Sequence, residues 1–299
     1  MGELMVSKSP KSEANKITTV IRTLGFDQFP INVREVALEY SSAICPQAPI
    51  VAIKPVAIPS FEGMLKRSPK GDQWIIGVNE DAASSGRINF TIAHEFAHYI
   101  LHRDLQQDFR CAQKDMHTWD ALGKKIEVEA DVFASYLLMP ADDFRKQIDG
   151  HDLSIDLLRH CANRYDVSLT AAALKWREIA PGRTVVLAAK DGYLDWSSSN
   201  ERAFKSGAYL ATAKQTIEVP AASVLSGAVR SATGETARLD ARVWFPREPE
   251  GLEIKEHAFV VEGDGFGYTL GILILPERDR EEKGDDELLE PLTGTPSFR

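Results

Sequence analysis

Arg87-Ile88-Asn89-Phe90-Thr91-Ile92-Ala93-His94-Glu95-Phe96-Ala97-His98-Tyr99-Ile100-Leu101-His102 is the stretch on which the reading of this chain turns. Ser84-Ser85-Gly86 ahead of it supplies a helix cap. Phe90, Ala93, Ala97, Ile100 and Leu101 recur at helical spacing, which predicts an amphipathic helix from about Ile88 to Leu101. On such a helix His94 and His98, four residues apart, lie one above the other. Both imidazoles can then reach one ion at about 2.0–2.1 Å. Glu95 stands beside them, placed to act as general base on water polarised by the ion. Zinc brings the pKa of such a water towards about 7, within reach of a carboxylate at neutral pH. The plainer alternative is a surface helix with two solvent-facing histidines.

A catalytic zinc takes three protein ligands and keeps a fourth position open. A second helical pattern, from about Gly123 to Leu138, offers Glu127, Glu129 and Asp131. Glu127 and Asp131 share a face with Ala134 and Leu138. Glu129 points about 160° away from Asp131 at roughly 100° per residue. The pair suits a division of labour, with Glu127 on the metal and Asp131 accepting the free ring N–H of a ligating histidine. Glu129 is then expected to be an exposed carboxylate. His102 lies eight residues from His94, roughly 12 Å along an unbroken helix, too far for both to share one ion with His98. It is expected at the helix C-terminus, where a partly charged imidazole is favourable. Residues 103–121 read as a long polar loop, a candidate lid that contains His117. His151, His160 and His257 have no partner visible in the sequence.

Working outward, residues 1–14 read as a disordered lead, followed by helices at Ala14–Leu24 and from Asn32 to Tyr40. Ile50–Ile53, Gly63–Lys66 and Trp74–Val78 are expected as three strands of a small sheet. Trp74–Val78 is read as an edge strand able to pair with an extended substrate. After Pro140, helices are expected at 141–148, 153–165 and from Ser168 to Ile179, with a helix–turn–helix-like joint at 164–169. Ala180-Pro181-Gly182 ends this texture. A hairpin about Asp191-Gly192 and strands at Ala237–Phe245, Glu253–Val261 and Gly267–Leu275 follow, the last two joined at Gly263-Asp264-Gly265. The expected fold class is α+β. Its parts are a domain at 15–150, a helix–turn–helix-like segment at 151–182, a sheet-containing C-terminal domain at 183–276, and an acidic tail at 277–299.

The net charge of -9 is uneven, because Glu277–Glu290 alone holds eight acidic and three basic residues. Such a run reads as a solvated tail. The acidic balance and the absence of a basic stripe argue against direct nucleic-acid binding, including through residues 153–179, whose second helix carries only Lys175 and Arg177. No apolar run reaches the roughly 18–20 residues that span a bilayer, and no apolar leader is seen. Three scattered cysteines, Cys45, Cys111 and Cys161, suggest no disulfide framework and fit a reducing cytoplasm.

Arg87–His102 resembles the core of the ImmA/IrrE-type metallopeptidases. Glu127-Val128-Glu129-Ala130-Asp131-Val132-Phe133-Ala134-Ser135-Tyr136-Leu137-Leu138-Met139-Pro140 is similar to that family's other signature. The resemblance covers about residues 15–180 and departs at Ala97, where many members have glycine. It implies a zincin-like domain with metal ligands at His94, His98 and Glu127 and catalysis by Glu95. It also implies cleavage of a partner protein, a helix–turn–helix repressor, that releases a stress response or mobile-element genes. One family layout adds a GAF-like sensory domain, which 183–276 could supply. Manganese or iron could also occupy a two-histidine, one-carboxylate site. Tyr99 and Tyr136 are the candidate oxyanion donors. The competing reading is a non-catalytic regulatory protein that grips a repressor, its zinc structural and closed by a fourth ligand such as His102 or His117.

Overall fold

The computed structural model describes residues 8–25, 28–57, 62–79, 84–111, 121–227, 234–261 and 267–277. The chain divides into two compact units, one from Met1–Asp149 with His160–Ser168, the other from Gly150–Arg159 with Leu169–Phe298. Both mix helices with sheet, so the class is α+β.

In the first unit, α1 (Pro10–Thr23) starts ahead of the expected Ala14. Ser9 accepts from the Ser12 N–H, and Pro10 occupies the first turn, where its missing N–H costs nothing. Asn32 caps α2 (Val33–Ile44) in the same way, accepting from the Glu35 N–H. The sheet runs β1 (Ile50–Pro55), β3 (Trp74–Val78), β2 (Gly63–Arg67), β4 (Asp108–Cys111) in spatial order. β3 pairs in parallel with β1 and antiparallel with β2, so it is an interior strand. The expectation that Trp74–Val78 offers a free edge to substrate is therefore wrong. Both ladders of its backbone are taken, and burial along Trp74-Ile75-Ile76-Gly77-Val78 on both faces accounts for the apolar run. The 103–121 stretch is also not a plain loop, because β4 forms within it and pairs with β2. His117 lies outside the described residues.

α3 (Ser85–Ala97) is capped by Ser84, whose side chain accepts from the Arg87 N–H. From Thr91 to Ile100 every residue is buried, so this is an interior helix and not a surface helix with one apolar stripe. Phe96 meets Tyr40 of α2 and Phe133 of α4 (Ala121–Leu138) edge-on, and Tyr99 meets Trp74 of β3. At its N-terminus α3 is seated on the turn after α6 (Ile155–Tyr165). Asp166, at φ 47°, accepts from Ser85 Oγ and Asn89 Nδ2. A Cβ on Gly86 would fall 2.9 Å from the Val167 backbone, so only glycine allows this approach. After Ala97 the helix changes to one turn of π-helix, His98–His102. α5 (Ala141–Ile148) sets Asp143 beside Arg164 and Tyr165 of α6.

The second unit holds a five-stranded antiparallel sheet ordered β6 (Tyr193–Ser199), β5 (Arg183–Lys190), β9 (Tyr268–Leu275), β8 (Glu253–Val261), β7 (Glu235–Asp240). Asp191 and Gly192, at φ 51° and 82°, make the turn between β5 and β6, a conformation that suits the twist of a two-residue hairpin. β7 ends at Asp240 rather than Phe245, because a turn of 3₁₀ helix at Ala241–Val243 carries Trp244 and Phe245 into the core with Leu187, Ile254 and Leu273. The Gly263-Asp264-Gly265 turn lies outside the described residues. Two buried carboxylates are fully engaged here. Glu248 forms a two-pronged ion pair with Arg183, and Glu256 accepts from Ser223 Oγ, the Val224 N–H and Trp244 Nε1. α7 (Leu169–Ile179) packs on β5, and a short α8 (Glu201–Lys205) is capped by Asn200.

Cys45 and Cys161 are free and buried. Among the described residues no helix is long and apolar enough to cross a membrane.

Candidate metal centre

α3 and α4 lie side by side, and their facing sides bring the sequence-identified groups together. His94 Nε2 is 3.1 Å from His98 Nε2 and 3.0 Å from Glu127 Oε2, and His98 Nε2 is 3.4 Å from Glu127 Oε1. Donors that share one tetrahedral ion at zinc's usual bond lengths of about 2.0–2.1 Å stand about 3.3–3.4 Å apart. The three separations found here match that spacing to within a few tenths of an ångström. His94, His98 and Glu127 are also the one group among the described residues whose side chains could jointly hold a metal ion.

Asp131, one turn along α4 from Glu127, accepts from His94 Nδ1 at 2.9 Å. A carboxylate can only accept, so the ring proton sits on Nδ1 and a neutral His94 turns a lone pair toward His98 and Glu127. Two imidazole nitrogens and a carboxylate converging on one point form a nest of acceptors, which a cation satisfies. The electrostatics agree. Burial pulls the pKa of His98 down to about 4, so its ring is neutral at pH 7. Burial pushes the Glu127 carboxyl up, while the His94 and His98 rings beside it pull it down, and the net direction is well below the ordinary range. Burial raises Asp131 against the pull of His94.

Glu95 is buried on α3 between the two histidines. β2 comes close to it, and a Cβ on Gly63 would lie 2.5 Å from Glu95 Oε1 and 2.6 Å from Thr91 Cγ2. Phe109 of β4 stacks on the His98 ring at 4.6 Å. Neither contact was readable from local spacing, since each joins segments far apart in sequence.

Two expectations are corrected. Glu129 is not an exposed carboxylate. Its side chain is 20% exposed and accepts from His102 Nε2 at 3.0 Å. Tyr99 is not free to donate to a substrate, because it is buried and its hydroxyl donates to the Ala48 carbonyl at 2.9 Å.

A buried helix carrying two histidines around a glutamate, backed by a small mixed sheet and faced by a carboxylate-bearing helix, is the layout of zincin-like metallopeptidases. Residues 54–177 match the IrrE N-terminal-like domain family. Over these residues the chain is similar to the ImmA/IrrE family of metallopeptidases. It is 30% identical to "Metallopeptidase ImmA" of Bacillus subtilis (strain 168) over 129 residues, which are 43% of this chain and 64% of that relative. In fold it resembles a solved structure titled "Mycobacterium tuberculosis transcriptional regulator", with a TM-score of 0.56 over 89% of this chain and 75% of that one. At 13% identity that likeness concerns the fold alone.

Proposed function

We propose that the chain is a zinc-dependent endopeptidase that cuts a partner protein, a helix–turn–helix transcriptional repressor, and so releases the genes that the repressor silences. The observation that carries this reading is the convergence of His94, His98 and Glu127 at tetrahedral spacing, with Asp131 holding one ring in its ligating tautomer. When bound, zinc would polarise the scissile carbonyl and acidify a water. His94, His98 and Glu127 would hold it. Glu95 accepts a proton from the attacking water and returns it to the departing amine. Manganese fits the same donors, and the metal's identity is part of the proposal. The repressor as substrate rests on the family resemblance. A sensory, GAF-like role for the sheet of the second unit is proposed on the same ground.

A structural zinc would need a fourth protein ligand. His102, the nearest candidate, turns its Nδ1 to the outer nitrogen of His98, on the ring's far side from His94 and Glu127. That orientation favours the peptidase over the non-catalytic reading.

The test is Glu95→Gln, assayed on a helix–turn–helix repressor that the wild-type chain cleaves. Zinc stoichiometry should stay at the wild-type value while cleavage falls by about 10²–10⁴-fold. Cleavage at the wild-type rate would remove Glu95 from the mechanism.

A further inference from the structure

His98 has an outer nitrogen as well as an inner one, and the structure accounts for both. Its Nδ1 lies 3.1 Å from His102 Nδ1, and His102 Nε2 lies 3.0 Å from Glu129 Oε2. We propose that Glu129 and His102 form a relay of hydrogen bonds that holds His98 in its metal-ligating tautomer. The proposal rests on the metal centre described above.

The order of donors follows from the carboxylate. Glu129 can only accept, so the His102 proton is on Nε2. A neutral His102 then offers a lone pair at Nδ1, and the short Nδ1–Nδ1 contact requires a proton from His98. With its proton on Nδ1, His98 is left with a lone pair on Nε2, the atom that faces His94 and Glu127. Run the other way, the chain would place a proton on His98 Nε2 and block the ligand position. His102 and Glu129 thus do for His98 what Asp131 does for His94.

The backbone supports this assignment independently. The π turn begins at His98 and ends at His102, and such turns are frequent at functional sites. The relay is also enclosed. His98 and His102 are buried, and Phe109 stacks on the His98 ring. Glu129 closes the outer end at 20% exposure, with Lys125 Nζ 3.8 Å away. Neither His102 nor Glu129 belongs to the donor group, so both are positioning residues.

The test uses the full chain stripped of metal. Zinc affinity is measured by competition with a chromophoric chelator, and the ring-nitrogen shifts of His98 are read by NMR. The wild type should show His98 protonated at Nδ1. Glu129→Leu and His102→Leu should weaken zinc binding by about 10–100-fold, the usual effect of losing an outer partner of a ligating histidine. They should also move the His98 shifts toward the other tautomer. His102→Asn, whose amide oxygen can still accept from His98, should recover most of the affinity. Because Glu129 is partly exposed, its variant tests the relay even where His102→Leu fails to fold. Unchanged zinc affinity and unchanged His98 shifts in Glu129→Leu would overturn the proposal. So would a His102→Asn variant as weak as His102→Leu, which would make His102 a packing residue. A wild-type chain that takes up no zinc would instead bring down the metal centre itself.

Discussion

Gly63 shows how closely the fold is drawn around Glu95. The carboxylate and Thr91 fill the space that any side chain at position 63 would need. Gly63→Ala should therefore push Glu95 aside without touching the donors of α3 and α4. Displacing a reacting group by about 1 Å costs on the order of 10²-fold in rate. The expected result is a large loss of kcat with zinc stoichiometry unchanged, read by single-turnover cleavage and metal analysis. A variant with wild-type kcat would show that Glu95 tolerates the shift. Gly63 could not be found from the sequence, because its importance depends on β2 meeting α3. His94, His98, Glu127 and Asp131 were legible, since each pair is four apart on one helix and helical periodicity is local. Glu129 was misread for an instructive reason. Its direction on α4, away from Asp131, follows from the same periodicity, but the group waiting there is His102, which a π turn positions.

Elements obey the same division between local and long-range information. Helices α2 and α3 announce themselves through caps and a 3.6-residue period, α4 through its period, and their boundaries fall within a few residues of expectation. β4 does not, because Asp108-Phe109-Arg110-Cys111 alternates over only four residues, too few to stand out, and exists through its pairing with β2. The π turn leaves no periodic trace at all. The burial of β3 on both faces was readable in its continuous apolar run, whereas its interior place in the sheet depends on pairing with β1 and β2. At the N-terminus of α3 two effects compete at Gly86. Alanine improves helix propensity by up to about 1 kcal/mol. A methyl group 2.9 Å from the Val167 backbone costs about 1–3 kcal/mol, because backbone cannot swing away. Gly86→Ala should lower the urea midpoint despite its better propensity. A raised midpoint would mean that the turn after α6 yields freely.

At the scale of the whole chain, a bound metal acts on the first unit, whereas acid reaches both, through His98 in the first and His257 in the second. An ion bound only by the folded chain stabilises it by RT ln(1 + [L]/Kd), about 4 kcal/mol at a thousandfold excess over Kd. Chelation should therefore lower the melting transition of the first unit and leave that of the second in place. A calorimetric profile indifferent to chelator would count against the metal. The second unit carries its own acid sensitivity in His257, which is buried, bonded through Nδ1 to Thr236 Oγ1, and pulled down to about 4 by burial. The folded pKa lies below the unfolded value of 6.5, so the unfolded chain binds more protons between these limits. Stability is complete above about pH 6.5 and declines toward pH 4, by on the order of 3 kcal/mol. In chelator, His257→Asn should flatten that decline relative to wild type, as followed by urea unfolding across pH. An equally steep decline in the variant would assign the acid sensitivity to other groups. The domain texture of this second unit was visible in its hairpin signals, whereas its packing around Glu248 and Glu256 joins residues that no local pattern connects. The donors of the candidate metal centre are themselves split along the chain, His94 on α3, His98 on the π turn that follows it and Glu127 on α4. On the proposed function, a nascent polypeptide thus has no complete cage until Glu127 has emerged from the ribosome and its helix has docked, so the cutting machinery would be assembled late and stay harmless while the protein is being made.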